Sequence, residues 1–147
     1  MPSTSAKFDA PTTALLDAGP LIALFDPSDK LHSAMEAFFR GFVGRLHTTW
    51  PVVTEVCHFL NVPQQRACIS WLRRGGAQLV DIETTALDTI ETLIGKYADR
   101  PMDLADASLV WLGAKLKISD IVTIDRDDFA VYRAGNGKPF RNLFPPV

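Results

Sequence analysis

Four apolar segments of the chain each carry an acidic residue in surroundings that would suit a buried hydrophobic side chain. The segments are LLDAGPLIAL with Asp17, TEVCHFL with Glu55, PMDLADASLV with Asp103 and Asp106, and VTIDRDDF with Asp125. An ionised carboxylate in apolar surroundings is costly unless a partner compensates its charge. Hard divalent cations such as Mg²⁺ and Mn²⁺ prefer carboxylate oxygens and water. Since the pattern occurs four times in one chain, it predicts a shared metal site.

Short apolar runs alternate along the chain with segments in which apolar residues recur at helical spacing. Strands are predicted at TALLD, LHTTW, AQLVDI and IVTI, and one more short strand is expected in the tail. Helices are predicted between them, with Asp29 and Thr84 or Thr85 as N-caps and Gly75-Gly76 as a helix end. Strands separated by helices are typical of βαβ units. The chain is therefore expected to be an α/β domain with a mainly parallel central sheet.

This architecture explains how the acids meet. In an open parallel sheet, functional groups gather at the carboxyl ends of the strands, near the point where the strand order switches. Asp17 and Asp125 both follow apolar strands, and Asp103 and Asp106 lie three residues apart on one helix face. Glu55 lies early in another helix and is expected to point into the same cleft. The nearby hydroxyl of Thr123 is expected to hold a carboxylate or a metal-bound water.

Each acid also has a simpler interpretation when taken alone. An aspartate after a strand is usually a turn or cap residue, which applies to Asp17, and Asp103 is as well suited to capping its helix. Glu55 alone would more often be an exposed helical residue. Asp106 is harder to explain in this way because Ala105 and Ala107 flank it. The metal site is therefore predicted from the set of acids and not from any one of them.

Composition agrees with one intracellular domain. Residues 1–12 are expected to be a flexible leader and residues 13–147 to form the domain, whose 47% hydrophobic content suffices for a core. No apolar run approaches the roughly 20 residues that a membrane span needs. The two cysteines, Cys57 and Cys68, suggest thiols in a reducing cytoplasm. The net charge of −2 does not indicate nucleic-acid binding, but clustered acids neutralised by cations would leave the basic residues to dominate elsewhere.

The ordered motifs DAGPLIALF, PVVTEVCHFL, PMDLADASLVWLGAKL and VTIDRDDFAVYR resemble the successive blocks of PIN-domain ribonucleases. The likeness is closest to the VapC-type toxins of bacterial toxin–antitoxin pairs, and it runs from about Thr13 to Pro146. It implies a three-layer α/β/α fold. It also implies a set of four acids that are both catalytic and metal-binding, namely Asp17, Glu55, Asp106 and Asp125. Asp103 is implied as a fifth metal ligand. Asp128 is expected to be structural or to support the site indirectly. Ala18-Gly19 departs from the pattern, since many relatives carry a hydroxyl residue beside the first acid.

For function, the resemblance implies cleavage of single-stranded RNA by metal-activated water, with Mg²⁺ or Mn²⁺ as cofactor. It further implies a cognate antitoxin protein as partner, a homodimer and a cytoplasmic location. Two alternatives remain. The first is an interaction module of PIN-like fold that acts through a partner protein without nuclease activity. The second, a phosphatase or structure-specific DNA nuclease of related fold, is disfavoured because the chain is short.

Overall fold

The computed structural model describes residues 12–146, in which strands and helices alternate as predicted. The expected leader therefore lies, except for Thr12, outside the described residues. Five strands occur within this range: β1 (Thr12–Leu16), β2 (Gly44–Thr49), β3 (Gln78–Val80), β4 (Asp120–Val122) and β5 (Arg141–Asn142). The helices of the same range are α1 (Ala18–Phe25), α2 (His32–Gly41), α3 (Trp50–Phe59), α4 (Val62–Arg73), α5 (Leu87–Lys96), α6 (Leu104–Leu116) and α7 (Arg126–Val131).

The described strands form one sheet in the order β3-β2-β1-β4-β5, and every neighbouring pair is parallel. The chain builds outward from β1 to β2 and β3, then returns to the other side of β1 to add β4 and β5. The strand order therefore switches between β1 and β4, where a cleft opens at the carboxyl ends of the strands. The prediction of an α/β domain with a mainly parallel sheet is confirmed.

Helices cover both faces of the sheet and produce three layers. Helix α1 contacts α2 and α4, whereas α5 packs on α6, which itself lies against β1 and β2. Helix α3 contacts both α1 and α6, so it bridges the two helical layers beside the end of β2. The central strands are buried on both faces, as their continuous apolar sequences require; the fully buried residues here are Leu15, Leu16, Ile121 and Val122.

Helix α6 is the most buried helix of the described chain. Its residues from Ala105 to Gly113 are all buried, and they include the polar side chains of Asp106 and Ser108. Ser108 is satisfied by hydrogen bonds with the Thr49 hydroxyl at 2.6 Å and the Ala105 carbonyl at 2.7 Å. Asp106 needs a different explanation, which its surroundings supply below.

The helix ends agree only in part with the sequence-based expectations. Gly75 follows α4 with a φ of 91°, a left-handed conformation that suits glycine and confirms the predicted helix end. Asp29 was expected to cap α2, but that helix begins at His32, and Asp29 instead accepts a hydrogen bond from the Leu31 N–H in a turn. Thr84 and Thr85 form a 3₁₀ turn that leads into α5, whose N-cap is Ala86. Both predicted N-caps are wrong because a local turn competes with the cap.

Candidate active site

The predicted acids line a single cavity at the switch point between β1 and β4. The cavity has a volume of about 270 Å³, and six carboxylates are among its lining residues: Asp17, Glu55, Asp103, Asp106, Asp125 and Asp128. Five of these were expected at a metal site, and the structure brings all five together. Glu55 and Asp103 also border a neighbouring, largely apolar groove that includes the exposed side chains of Trp50 and Phe59.

Asp17 is positioned by the end of β1 and the start of α1. Its backbone N–H donates to the Val122 carbonyl at 3.0 Å, which ties the end of β1 to the end of β4. One side-chain oxygen, Oδ1, accepts from the Ala18 N–H at 2.8 Å and so caps α1. The other, Oδ2, accepts from the Thr123 hydroxyl at 2.7 Å. Burial is the main cause that raises the pKa of Asp17, while these two hydrogen bonds oppose the rise.

Thr123 connects two of the acids, as its place in the sequence suggested. Its hydroxyl donates to Asp17 and accepts from the Asp125 N–H at 2.9 Å. The side chain of Asn142 on β5 holds the backbone of Thr123 in turn. Its amide oxygen accepts from the Thr123 N–H, and its amide nitrogen donates to the Thr123 carbonyl. The fully buried hydroxyl therefore fixes the spacing between the acids that follow β1 and β4.

The departure at Ala18-Gly19 has a steric explanation. A Cβ atom at Gly19 would lie 2.4 Å from Cγ1 of Ile124, far inside van der Waals contact. The hydroxyl residue that many relatives of the predicted family carry beside the first acid would, at position 19, require the partly exposed side chain of Ile124 to move. Asp17 receives its side-chain hydrogen bond from Thr123 instead.

Asp106 lies in an environment that disfavours its ionised form. Its side chain is only 9% exposed, and burial raises its pKa to about 8, with a further contribution from the charges of Asp103 and Asp17. The hydroxyl of Tyr132 donates to Oδ2 at 3.1 Å and partly offsets the rise. Tyr132 is fully buried and was not identified from the sequence, because it lies 26 residues along the chain from Asp106 and carries no acid motif.

Asp125 and Glu55 complete the set with raised pKa values. Asp125 precedes α7 and caps it by accepting from the Asp128 N–H at 3.1 Å. Burial is the first cause that raises its pKa to about 6, and the Asp128 side chain is the second. Glu55 lies half-buried on α3, one turn after the helix start, and burial followed by the charge of Asp103 raises its pKa. Repulsion among these carboxylates is thus a shared property of the cavity.

The other two cavity acids, Asp103 and Asp128, each have a partner within the chain. Oδ1 of Asp103 accepts from the Asp106 N–H at 2.7 Å and caps α6, which confirms the capping interpretation while leaving the side chain at the cavity. Asp128 forms an ion pair with Arg100, whose Nη1 lies 2.9 Å from Oδ1. Among residues 12–146, the other ion pairs are His32–Glu36 and Arg141–Asp120, so Asp128 is the cavity acid that has a basic partner.

The carboxylates do not form a closed cage. Within residues 12–146, no three side chains of His, Cys, Asp or Glu converge closely enough to enclose a metal ion by themselves. Mg²⁺ usually keeps several waters and uses one or two carboxylates together with substrate phosphates. An open cavity lined by hard oxygen donors fits that mode of binding better than it fits a structural metal site.

Comparisons with known proteins agree with this geometry, although no family model matches the chain. Ribonuclease VapC26 from Mycobacterium tuberculosis is 25% identical over 130 residues, which cover 86% of this chain and 96% of that protein. The crystal structure of VapC20 from the same organism, a toxin that cleaves the sarcin–ricin loop, superposes with a TM-score of 0.68. The match covers 79% of this chain and 92% of VapC20 at 16% sequence identity. At that identity, the likeness supports the assignment of the fold only. The chain thus has the three-layer α/β/α PIN-type fold and resembles the VapC-type PIN-domain toxins, as its ordered acidic motifs predicted.

Proposed function

We propose that this protein is a metal-dependent endoribonuclease of the VapC toxin type that cleaves single-stranded RNA. The observation that carries the proposal is the cavity in which five predicted acids meet, four of them with raised pKa values. Buried carboxylates that repel one another are costly to retain for folding alone. The likeness to a protein named as a ribonuclease supports RNA as the substrate.

The acids proposed to hold Mg²⁺ or Mn²⁺ are Asp17, Glu55, Asp106 and Asp125, with Asp103 as a fifth, some of them directly and the others through metal-bound water. All five offer hard oxygen donors, and a bound cation would offset the burial and mutual repulsion that raise the pKa values of Asp17, Glu55, Asp106 and Asp125. When bound, the metal would lower the pKa of a water molecule and stabilise charge on the phosphate. The expected products are a 3′-hydroxyl and a 5′-phosphate.

The protein's own contribution is to hold the acids in place. Thr123 and the Ala18 N–H fix both oxygens of Asp17, and Tyr132 fixes one oxygen of Asp106. These hydrogen bonds come from buried groups, so the carboxylates need little reorganisation when charge develops at the cavity. Asp106 keeps Oδ1 for a further partner, and we infer that this atom faces the metal or a water.

The same likeness leads us to propose a cognate antitoxin protein that binds over the acidic cavity, a homodimer and a cytoplasmic location. Within residues 12–146, no helix has the length and apolar character needed to cross a membrane. These proposals concern partners of the chain and are independent of the cleavage step.

Incubation of the purified protein with a mixed RNA pool, in Mg²⁺, in Mn²⁺ or in EDTA, tests the activity. Cleavage is expected in either metal and not in EDTA, and Asp106→Asn is expected to lose it. Asp120→Asn is the matched control, because Asp120 lies at the start of β4, pairs with Arg141 and does not line the cavity. Equal cleavage by wild type in EDTA would rule out the metal-dependent mechanism.

Calorimetric titration with Mn²⁺ separates the enzyme from an interaction module of the same fold. Binding by wild type and by Asp120→Asn, with weaker binding by Asp106→Asn, is expected. If wild type neither binds Mn²⁺ nor cleaves the pool, the interaction module replaces the enzyme as the preferred function.

A further inference from the structure

One basic residue lies at the edge of the acidic cavity. Arg100 belongs to the segment between α5 and α6, and its Nη1 donates to Oδ1 of Asp128 at 2.9 Å. Asp128 lines the cavity, as does Pro101, the residue that follows Arg100 in the chain. The guanidinium is therefore held beside the opening through which a substrate would reach the acids.

The way in which Arg100 is held leaves donors available. Arg141 engages both oxygens of Asp120 through Nε at 3.0 Å and Nη2 at 2.8 Å, which is the saturated, bidentate arrangement. Arg100 contacts its carboxylate through Nη1 alone, and its side chain is 45% exposed. Since a guanidinium has five N–H donors, Arg100 retains several that an approaching anion could use.

A phosphodiester that enters this cavity needs such a group. Six carboxylates line the cavity, and those that are ionised and unpaired repel the phosphate that must come close to them. Bound cations offset only part of that charge. A guanidinium stays ionised at all relevant pH values and matches phosphate geometry with paired N–H donors. Its position at the rim adds attraction without filling the space where the metal is proposed to bind.

We propose that Arg100 binds a phosphate of the RNA substrate and that Asp128 is the positioning residue that orients its guanidinium. This inference rests on the proposed ribonuclease function and names a substrate contact for it. Asp128 holds one side of the guanidinium, as carboxylates do for catalytic arginines and histidines in general, and leaves the other side for the phosphate.

The test uses a labelled single-stranded RNA oligonucleotide from the mixed RNA pool. Cleavage kinetics and metal-free binding by fluorescence anisotropy are measured at several salt concentrations for wild type, Arg100→Ala, Arg100→Lys, Asp128→Asn and Arg141→Ala. Arg141→Ala is the matched control, because it removes the same charge and a similar ion pair at the opposite end of β4. Thermal unfolding verifies that all variants are folded.

Arg100→Ala is expected to raise KM and the dissociation constant about tenfold, with a smaller change in kcat. The slope of log affinity against log salt should fall by about 0.7, the value for one lost phosphate contact on a single strand. Arg100→Lys should restore the slope but only part of the affinity, and Asp128→Asn should weaken binding without changing the slope. A purely structural role for Arg100 would leave the slope unchanged.

Two results would overturn the inference while sparing the proposed function. The first is that Arg100→Ala cleaves with the same KM and shows the same salt slope as wild type. The second is that Arg141→Ala changes KM and the salt slope as much as Arg100→Ala does. If wild type neither cleaves nor binds the RNA, both the inference and the proposed function fail. If wild type binds with an Arg100-dependent slope but does not cleave in either metal, the phosphate contact stands and the nuclease does not.

Discussion

Strand β4 has a carboxylate at or near each of its ends, and the two are treated in opposite ways. Asp120 begins the strand and forms a bidentate ion pair with the exposed side chain of Arg141 on β5. Asp125 follows the other end of the strand and faces Asp128 and Asp17, whose charges help to raise its pKa to about 6. The first carboxylate is satisfied by the chain itself. The second belongs to the group of acids that we propose to bind an external cation.

This contrast shows that the carboxylate charges of one small domain can be compensated in different ways. A surface ion pair such as Asp120–Arg141 contributes little to stability, because solvent screens both charges. A cluster of buried carboxylates reduces stability in the absence of a cation. The cavity therefore has a cost to the fold that its proposed chemistry would explain. The following predictions test the contrast, from the largest expected effect to the smallest.

Asp17→Asn is expected to reduce metal-dependent RNA cleavage by at least about 100-fold, because it removes a charged ligand at the switch point. Asp120→Asn, at the start of β4, should change cleavage less than twofold. Initial rates on one RNA substrate under saturating Mn²⁺ measure both. Full activity in Asp17→Asn would remove that residue from the proposed ligand set.

The metal-free protein should become less stable as pH rises from about 4 to about 8. The folded pKa of Asp106 is about 8, against an ordinary value of 3.8, so the folded state holds a proton that the unfolded state releases. The free energy of unfolding is lowest above pH 8, where the Asp106 carboxylate is ionised in the folded state as well as in the unfolded state. Asp106→Asn should therefore raise the free energy of unfolding by about 2 kcal/mol at pH 8 and by much less at pH 4. Urea unfolding at the two pH values gives the comparison, and an equal effect at both would contradict it.

Mn²⁺ at ten times its dissociation constant should stabilise the wild-type protein by about 1.4 kcal/mol. The gain should be reduced in Asp106→Asn and retained in Asp120→Asn, because only the first change affects the cavity. Thermal unfolding with Mn²⁺ and with EDTA measures the difference. Equal stabilisation of all three proteins would place the bound metal elsewhere.

Thr123→Val should cost about 1 kcal/mol of stability, since the substitution keeps the shape of the side chain and removes two buried hydrogen bonds. Without the Thr123 hydroxyl, the pKa of Asp17 should rise further, because that bond opposes the effect of burial. Metal affinity at neutral pH should then fall. Urea unfolding and Mn²⁺ titration of the variant against Thr13→Val, a change at the other end of β1, would show whether the effect is specific.

Sequence reasoning located the acids because their signal is local. Asp17 and Asp125 follow apolar runs, and an open parallel sheet brings the ends of such runs to one edge. Asp103 and Asp106 share a helix face at a spacing that can be read from the chain. Parallel pairing was predictable from the alternation of strands and helices, whereas the order of the strands was not, because it depends on which apolar faces pack together.

The supporting residues could not be located in that way. Tyr132 reaches Asp106, Asn142 holds Thr123, and Arg100 reaches Asp128 across 28 residues of sequence. None of these contacts has a characteristic spacing, and each depends on the packing of separate elements. The wrong caps at Asp29 and at Thr84 or Thr85 have a related cause. Turns and helix starts use the same side chains, so local sequence does not distinguish them.

Three of the cavity acids also begin helices, and each does so with one oxygen. Oδ1 of Asp17, of Asp103 and of Asp125 accepts a backbone N–H at the start of α1, α6 and α7. These backbone bonds fix the side-chain rotamers before any ligand arrives, so little rotamer entropy remains to be lost on binding. Asparagine is an equally good cap. A single amide substitution can therefore remove a charge on which the proposed activity depends while the helix start is kept, so that loss of the activity need not entail loss of the fold.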